Sequence, residues 1–220
     1  MNVTSILRRL RENALYHGWP AAVQVLAVAL LRKFMRFEHV FLFVLDEVPP
    51  HLSVPPAERI HLASAEDVKR LAIDPMFDMT DLTPEHIDKL YASGDRCVFS
   101  MMEGRVTGYG WLTTGEARIP KLGIRFEVRG NEGYAYKGMT HPAFRGRQMG
   151  HDRLLFWLDY LRRNGRSTEV LHFAFENKAT MSRVSKLNLK KAGTGTLIGF
   201  GRWKKLFLSG DFWNRKVFPL

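Results

Sequence analysis

With 220 residues, 45% of them hydrophobic and 12% aromatic, the chain can bury a full core and fits one catalytic-sized domain with an extension. Its formal charge of +11 attracts anions without choosing among nucleic acid, lipid, acidic protein and polyphosphate. The single Cys97 excludes an internal disulfide, the opening residues lack the order of a secretion signal, and the longest apolar run, 21–31, falls short of the roughly 20 residues that span a bilayer. A cytoplasmic chain without a transmembrane helix is expected.

Residues 4–37 read as helical. Ile6, Leu10 and Ala14 recur at four-residue spacing, Trp19-Pro20 marks a break, and Val23, Leu26, Leu30 and Phe34 renew the stripe. His39–Leu45 is rich in Val and Phe and predicts a short buried strand, closed by a proline-bearing link, 48–56. Residues 1–56 therefore form an extension ahead of the main domain, expected over 57–208, with a basic-aromatic tail at 209–220.

Within that domain Ile60 and Leu62 alternate as a strand, and Ser64 with Asp67 three residues on predicts a capped helix carrying Val68, Leu71 and Ala72 on its apolar face. Thr83-Pro84-Glu85 announces a second helix over 83–91. Strands follow at 97–102 and 106–113, joined by the hairpin-sized Glu103-Gly104-Arg105, and again at 133–140. The stretch 115–130 reads as a loop. A strong helix is expected over 150–164, stopped by Gly165, then a strand at 169–175, a helix at 180–191 and one or two strands over 194–208.

Residues 139–150, MTHPAFRGRQMG, join a strand directly to a helix. Helix N-termini present unpaired N–H groups and partial positive charge, so a glycine-bearing, arginine-flanked turn there favours phosphate. Arg145 and Gly150 match the cofactor loop of the GNAT N-acetyltransferases, with Gln148 in place of the middle glycine. A second block, Asn177-Lys178-Ala179-Thr180 through Lys186-Leu187-Asn188-Leu189, is similar to that family's Asn-containing block at the expected separation. The chain thus resembles the GNAT superfamily over residues 59–208.

The resemblance implies an α/β (α+β) fold, a mixed and mostly antiparallel twisted sheet flanked by helices. It implies acetyl-CoA as acyl donor, with pantetheine along the strand edge Gly138, Met139 and Thr140. Gly146, Arg147, Gln148, Met149, Gly150 and His151 would meet the pyrophosphate through backbone N–H groups, provided Gln148 has an ordinary φ, with Arg145 at the head of the same cofactor-binding loop. Asn177 would hold the cofactor or a strand, although an asparagine at a strand-to-helix junction also serves as a cap. The implied reaction is direct transfer of an acetyl or short acyl group to a primary amine on a small molecule or peptide.

For the base, Glu132, Tyr134, Tyr136 and His172 stand as candidates, against the plainer reading of each as a packed strand residue. The family's usual acid position holds Val184, which cannot donate a proton. Metal-ligand spacing and nucleic-acid-binding motifs are not seen. The basic, apolar ends fit either a peripheral membrane contact or packing on the domain or a second subunit of a homodimer. A membrane-associated longer-chain acyltransferase and a non-catalytic CoA sensor are the alternative functions.

Overall fold

The computed structural model describes residues 35–220 except 78 and 80, together with Trp19, Pro20, Val23 and Ala27, which are helical. The remainder of the helix expected over 4–37 lies outside the described residues, and its expected end is overtaken by a strand that already contains Arg36 and Phe37. The chain divides into two compact units. One comprises residues 44–117 and 125–171, the other 1–43, 118–124 and 172–220.

In the first unit, strands β2 (Ile60–Ala63), β3 (Arg96–Met102), β4 (Arg105–Thr113) and β7 (Glu132–Thr140) are antiparallel neighbours, and β7 pairs in parallel with the start of β8 (Thr168–Ala174). Period-two alternation sends successive side chains to opposite faces. Cys97, Phe99, Tyr109 and Trp111 share a core with Val68 and Leu71 of α1 (Ala65–Ala72) and Ile87 of α2 (Pro84–Ala92). Val98 and Leu112 instead join Trp157 and Leu161 of α3 (Met149–Arg163). Helices therefore cover both faces of a mixed, mostly antiparallel sheet.

Local chemistry sets the ends of these elements. Ser64 and Asp67 close a reciprocal capping box, and Thr83 caps α2 with Pro84 in its first turn. The β3–β4 hairpin turns through Glu103 at φ 51° and Gly104 at φ 73°, two left-handed residues that suit the right-handed twist of the strands. Helix α3 ends at Gly165, φ 73°, where Gly165 N–H donates to Arg162 O and Arg166 N–H to Leu161 O, the paired bonds of a Schellman motif.

The second unit holds most of β1 (Arg36–Leu45), the end of β8, β9 (Lys190–Phe200) and β10 (Trp203–Gly210), in the order β10-β9-β1-β8. Helix α4 (Lys178–Lys186) is shorter than the expected 180–191. Asn188 turns left-handed at φ 50° and β9 begins at Lys190, so the β-branched and small residues that follow are claimed by the sheet. The 115–130 stretch also differs from the expected loop. It contains β5 (Glu116–Ile119) and β6 (Ile124–Glu127), whose buried Ala117, Ile119, Ile124 and Phe126 alternate with exposed charges. At the C-terminus β11 (Val217–Pro219) leads to Leu220, whose N–H donates to Gly123 O at 2.9 Å.

Candidate active site

Strand β7 carries the centre of the site. Trp111 on β4 faces Tyr136, Tyr109 faces Met139, and Gly110 alone stands against the extra residues Lys137 and Gly138. This bulge puts Lys137 at φ 46° and re-aims the strand. The Lys137 ammonium is held by Asp81, whose carboxyl it keeps below the usual carboxylate range mainly by donating a hydrogen bond. On the other edge, the ladder with β8 covers Glu132–Ala135 against Thr168–Leu171. The segment Gly138–Thr140, expected to receive pantetheine, lies beyond those four pairs. Gly138 is exposed there, with no atom within 4 Å of where a Cβ would stand.

Below that segment runs Arg153, buried in the second turn of α3. Its Nη1 donates to Ser100 Oγ at 2.6 Å and its Nη2 to Thr140 Oγ1 at 2.9 Å. Glycines make the passage. A Cβ on Gly108 would stand 2.8 Å from Arg153 Nη1 and 2.4 Å from Met139 O, and one on Gly110 would stand 3.1 Å from Arg153 Cδ. Neither Arg153 nor Ser100 belongs to a recognisable motif in the sequence. The signal was an arginine amid the apolar residues of a helix, facing a strand with glycines two apart.

The loop from β7 to α3 has His141 N–H donating to Thr107 O at 2.9 Å and a single 3-10 turn, Pro142–Phe144. Gly146 is left-handed at φ 83° with open space about it, and Arg145 and Arg147 are exposed. Gln148 occupies the N-cap of α3 at φ 63°, ψ 4°, and no side chain caps the helix. The condition that Gln148 be ordinary in φ is therefore not met: a glycine-like conformation is imposed on a glutamine, at a cost of about 1–2 kcal/mol.

The expected row of donors is also shorter. His151 N–H and Asp152 N–H both donate to Gln148 O, at 2.7 and 3.1 Å, so His151 is already engaged, while Met149 and Gly150 precede the first intrahelical bond. Arg59, just before β2, stiffens this corner. Its Nη2 lies 2.7 Å from Asp152 Oδ2 and donates to Arg147 O at 3.3 Å. Burial nevertheless holds the Asp152 carboxyl above its ordinary value, with Arg59 opposing. An uncapped helix start, an open left-handed glycine and two exposed arginines fit a polyphosphate.

Among the proposed bases, Tyr134 is fully buried, edge-on to Phe126 at 5.4 Å and stacked on Tyr136 at 6.2 Å. Tyr136 is half-buried and donates to Asp95 Oδ2 at 2.5 Å; burial first, then Asp95, pushes its hydroxyl far above the usual tyrosine range. The hydroxyl keeps its proton and directs it at Asp95. Asp95 itself, 7% exposed, precedes β3 and escaped the sequence reading because Tyr136 is 41 residues away along the chain. Glu132 is buried at the opposite end of β7, where its Oε2 accepts from Arg129 N–H at 3.2 Å and its Oε1 lies 3.6 Å from the Arg129 guanidinium.

His172 and Asn177 belong to the other unit. Enclosure in protein, with a smaller contribution from Lys121, pushes the His172 imidazole down to about 4. Such a ring is neutral at pH 7 but a weak proton acceptor. Asn177 caps α4, its Oδ1 accepting from Thr180 N–H at 3.2 Å.

No family model matches the sequence, and no curated protein does. Among solved structures, a GNAT-family acetyltransferase from Colwellia psychrerythraea superimposes with a TM-score of 0.52 at 11% identity, over 79% of this chain and 60% of its own. A GCN5-related N-acetyltransferase from Sphaerobacter thermophilus gives 0.52 at 13% identity, over 84% of this chain and 57% of its own. The chain has the GNAT fold. It spans less than two thirds of the length of these GNAT neighbours, and at such identities the likeness concerns the fold. Among the described residues, no helix is long and apolar enough to cross a membrane, and no group of three His, Cys, Asp or Glu side chains could hold a metal ion.

Proposed function

We propose that the chain is an N-acyltransferase that moves an acetyl or short acyl group from acetyl-CoA to a primary amine. The observation that carries this reading is the start of α3, uncapped by any side chain and preceded by Gly146 between two exposed arginines. Met149 and Gly150 would donate backbone N–H groups to the pyrophosphate, and Arg145 and Arg147 would add charge. Acetyl-CoA would supply the activated thioester, so no nucleophile on the protein is required. The Gly138–Thr140 edge would receive the pantetheine arm as a strand receives a peptide, with Arg153 holding Thr140 from beneath.

On the face of β7 that carries Tyr136, Asp95 would hold the incoming ammonium and accept its proton, Tyr136 fixing the carboxylate through Oδ2. This assigns proton transfer to a group other than His172, Tyr134 and Glu132. Calorimetric titration of acetyl-CoA tests the donor. Micromolar binding that is weakened at least tenfold in Arg145→Glu/Arg147→Glu supports the reading. Absence of binding at millimolar acetyl-CoA, or binding indifferent to that charge reversal, refutes it.

A further inference from the structure

From the tip of the β9–β10 hairpin we infer a second functional surface, one that docks the protein on an anionic lipid bilayer. The inference is independent of acyl transfer and lies wholly in the unit that contains residues 172–220. Phe200 pairs directly with Trp203, and Gly201 and Arg202 form the two-residue turn between them, with Gly201 at φ 56° in the first central position of a type II′ turn. Directly opposed residues share a face of the ladder, so the two rings stand side by side. Phe200 is 69% and Trp203 56% exposed. The same face continues along β10 through Lys205, whose ammonium lies 5.1 Å from the centre of the Phe207 ring, itself 45% exposed.

The other face of the hairpin explains why these rings point outward. Gly193, Gly195, Leu197 and Gly199 are buried, and a Cβ on Gly195 would collide with Leu122 at 2.4 Å. At Gly193 and Gly195 the backbone packs too closely for any larger residue, and Leu197 fills the rest of that inner face, so the aromatics of the tip stand on the outer one. In that position Phe200 at the end of β9 and Trp203 and Phe207 on the edge strand β10 are hydrophobic surface with no core to fill.

Charge selects the partner. Between Asn177 and Gly210 the sequence has eight lysines and arginines and no aspartate or glutamate. Arg202 occupies the turn, Lys204 and Lys205 flank the aromatic pair, and Arg36 packs beside Gly199 at its base. Aromatic rings at a tip, with Arg202 in the turn and lysines beside and behind them, match the mixed apolar and phosphate chemistry of a membrane interface. The ladder with β9 satisfies one side of the β10 backbone, and its open outer edge keeps the contact in the hydrated interface rather than in hydrocarbon. In the same unit, Trp19, Val23 and Ala27 follow at one-turn spacing in helical backbone, and all three are exposed. An interfacial contact of this kind needs no transmembrane helix.

Co-sedimentation of the full chain with vesicles of phosphatidylcholine alone, or mixed with phosphatidylserine, tests the inference. Binding is expected only to the mixed vesicles, and added salt should weaken it. Lys204→Glu/Lys205→Glu and Phe200→Ser/Trp203→Ser should each lower partitioning at least tenfold while leaving the unfolding temperature and acetyl-CoA affinity unchanged. Brominated lipid should quench part of the tryptophan fluorescence of the wild type, and that part should shrink in Trp203→Phe. Absence of vesicle binding, or binding unaltered in the tip variants, overturns the proposal. So does tighter binding of an oligonucleotide than of mixed vesicles through these residues, or a homodimer in solution that the tip substitutions dissociate.

Discussion

Gly108→Ala should loosen the strand pair proposed to receive the cofactor. The new methyl would stand 2.4 Å from Met139 O, 2.8 Å from Arg153 Nη1 and 3.1 Å from Thr140 Cα. Restoring an ordinary carbon–oxygen separation requires a shift of about 0.9 Å. The obstructing atoms are mostly β7 backbone, and the one flexible neighbour, Arg153, is held by Ser100 and Thr140. Overpacking of this kind costs about 1–3 kcal/mol, partly offset by the lower unfolded-state entropy of alanine. A net loss of about 2 kcal/mol corresponds to roughly 4–8 °C in Tm for a chain of this size. Gly138→Ala is the matched control. It lies on the same edge but meets nothing within 4 Å, so its Tm should stay within about 2 °C of the wild type. Calorimetric unfolding and acetyl-CoA titration, run on both variants, form the assay. If Gly108→Ala keeps wild-type Tm and affinity, or Gly138→Ala proves the more damaging, the packing argument fails.

Gln148→Gly should leave stability equal to wild type or raise it by about 0.5 kcal/mol, because relief of left-handed strain exceeds glycine's entropic cost, whereas Gln148→Val should lose more than about 1 kcal/mol; urea unfolding that ranks them oppositely would exclude strain at this cap. Both carboxyl oxygens of Glu169 are buried without a partner among the described residues, and burial raises its acid well above the ordinary value. The unfolded chain therefore ionises first, so this group's contribution to stability falls as pH rises above about 4.5. Glu169→Met should stabilise by about 1–3 kcal/mol, more at pH 8 than at pH 5, and a pH-independent difference would refute this account.

His172 has the opposite slope. Its folded-state value near 4 lies below the unfolded 6.5, so its contribution is complete above pH 6.5 and is lost on acidification towards pH 4, at about 1 kcal/mol per pH unit. Comparing wild type with His172→Gln across that window isolates the slope, and parallel curves would show the ring to be solvated. Asp95→Asn should lower kcat by about 10²–10⁴, while Tyr136→Phe should give a smaller loss. Unchanged turnover in Asp95→Asn would return proton transfer to another group.

Much of the fold was legible because its determinants are local. The Ser64/Asp67 box, the Thr83-Pro84 start, the Glu103-Gly104 turn and the Gly165 stop each lie within a few residues of the element they bound. Their dihedral preferences and short-range hydrogen bonds act before tertiary contacts form. The 180–191 and 115–130 readings failed where local preference was weak and sheet pairing decided the outcome.

The strand-to-helix junction at Arg145–Gly150, and its basic, glycine-bearing chemistry suited to an anion, are written in a short contiguous stretch of residues. The left-handed Gln148, the engaged N–H of His151 and the reach of Arg153 to Thr140 beneath two glycines arise only once the chain is folded. Folding alone brings Tyr136 to Asp95. Hydrogen bonds between residues distant along the chain leave no periodic trace in sequence, because their geometry exists only after the sheet has set the register that places the partners face to face.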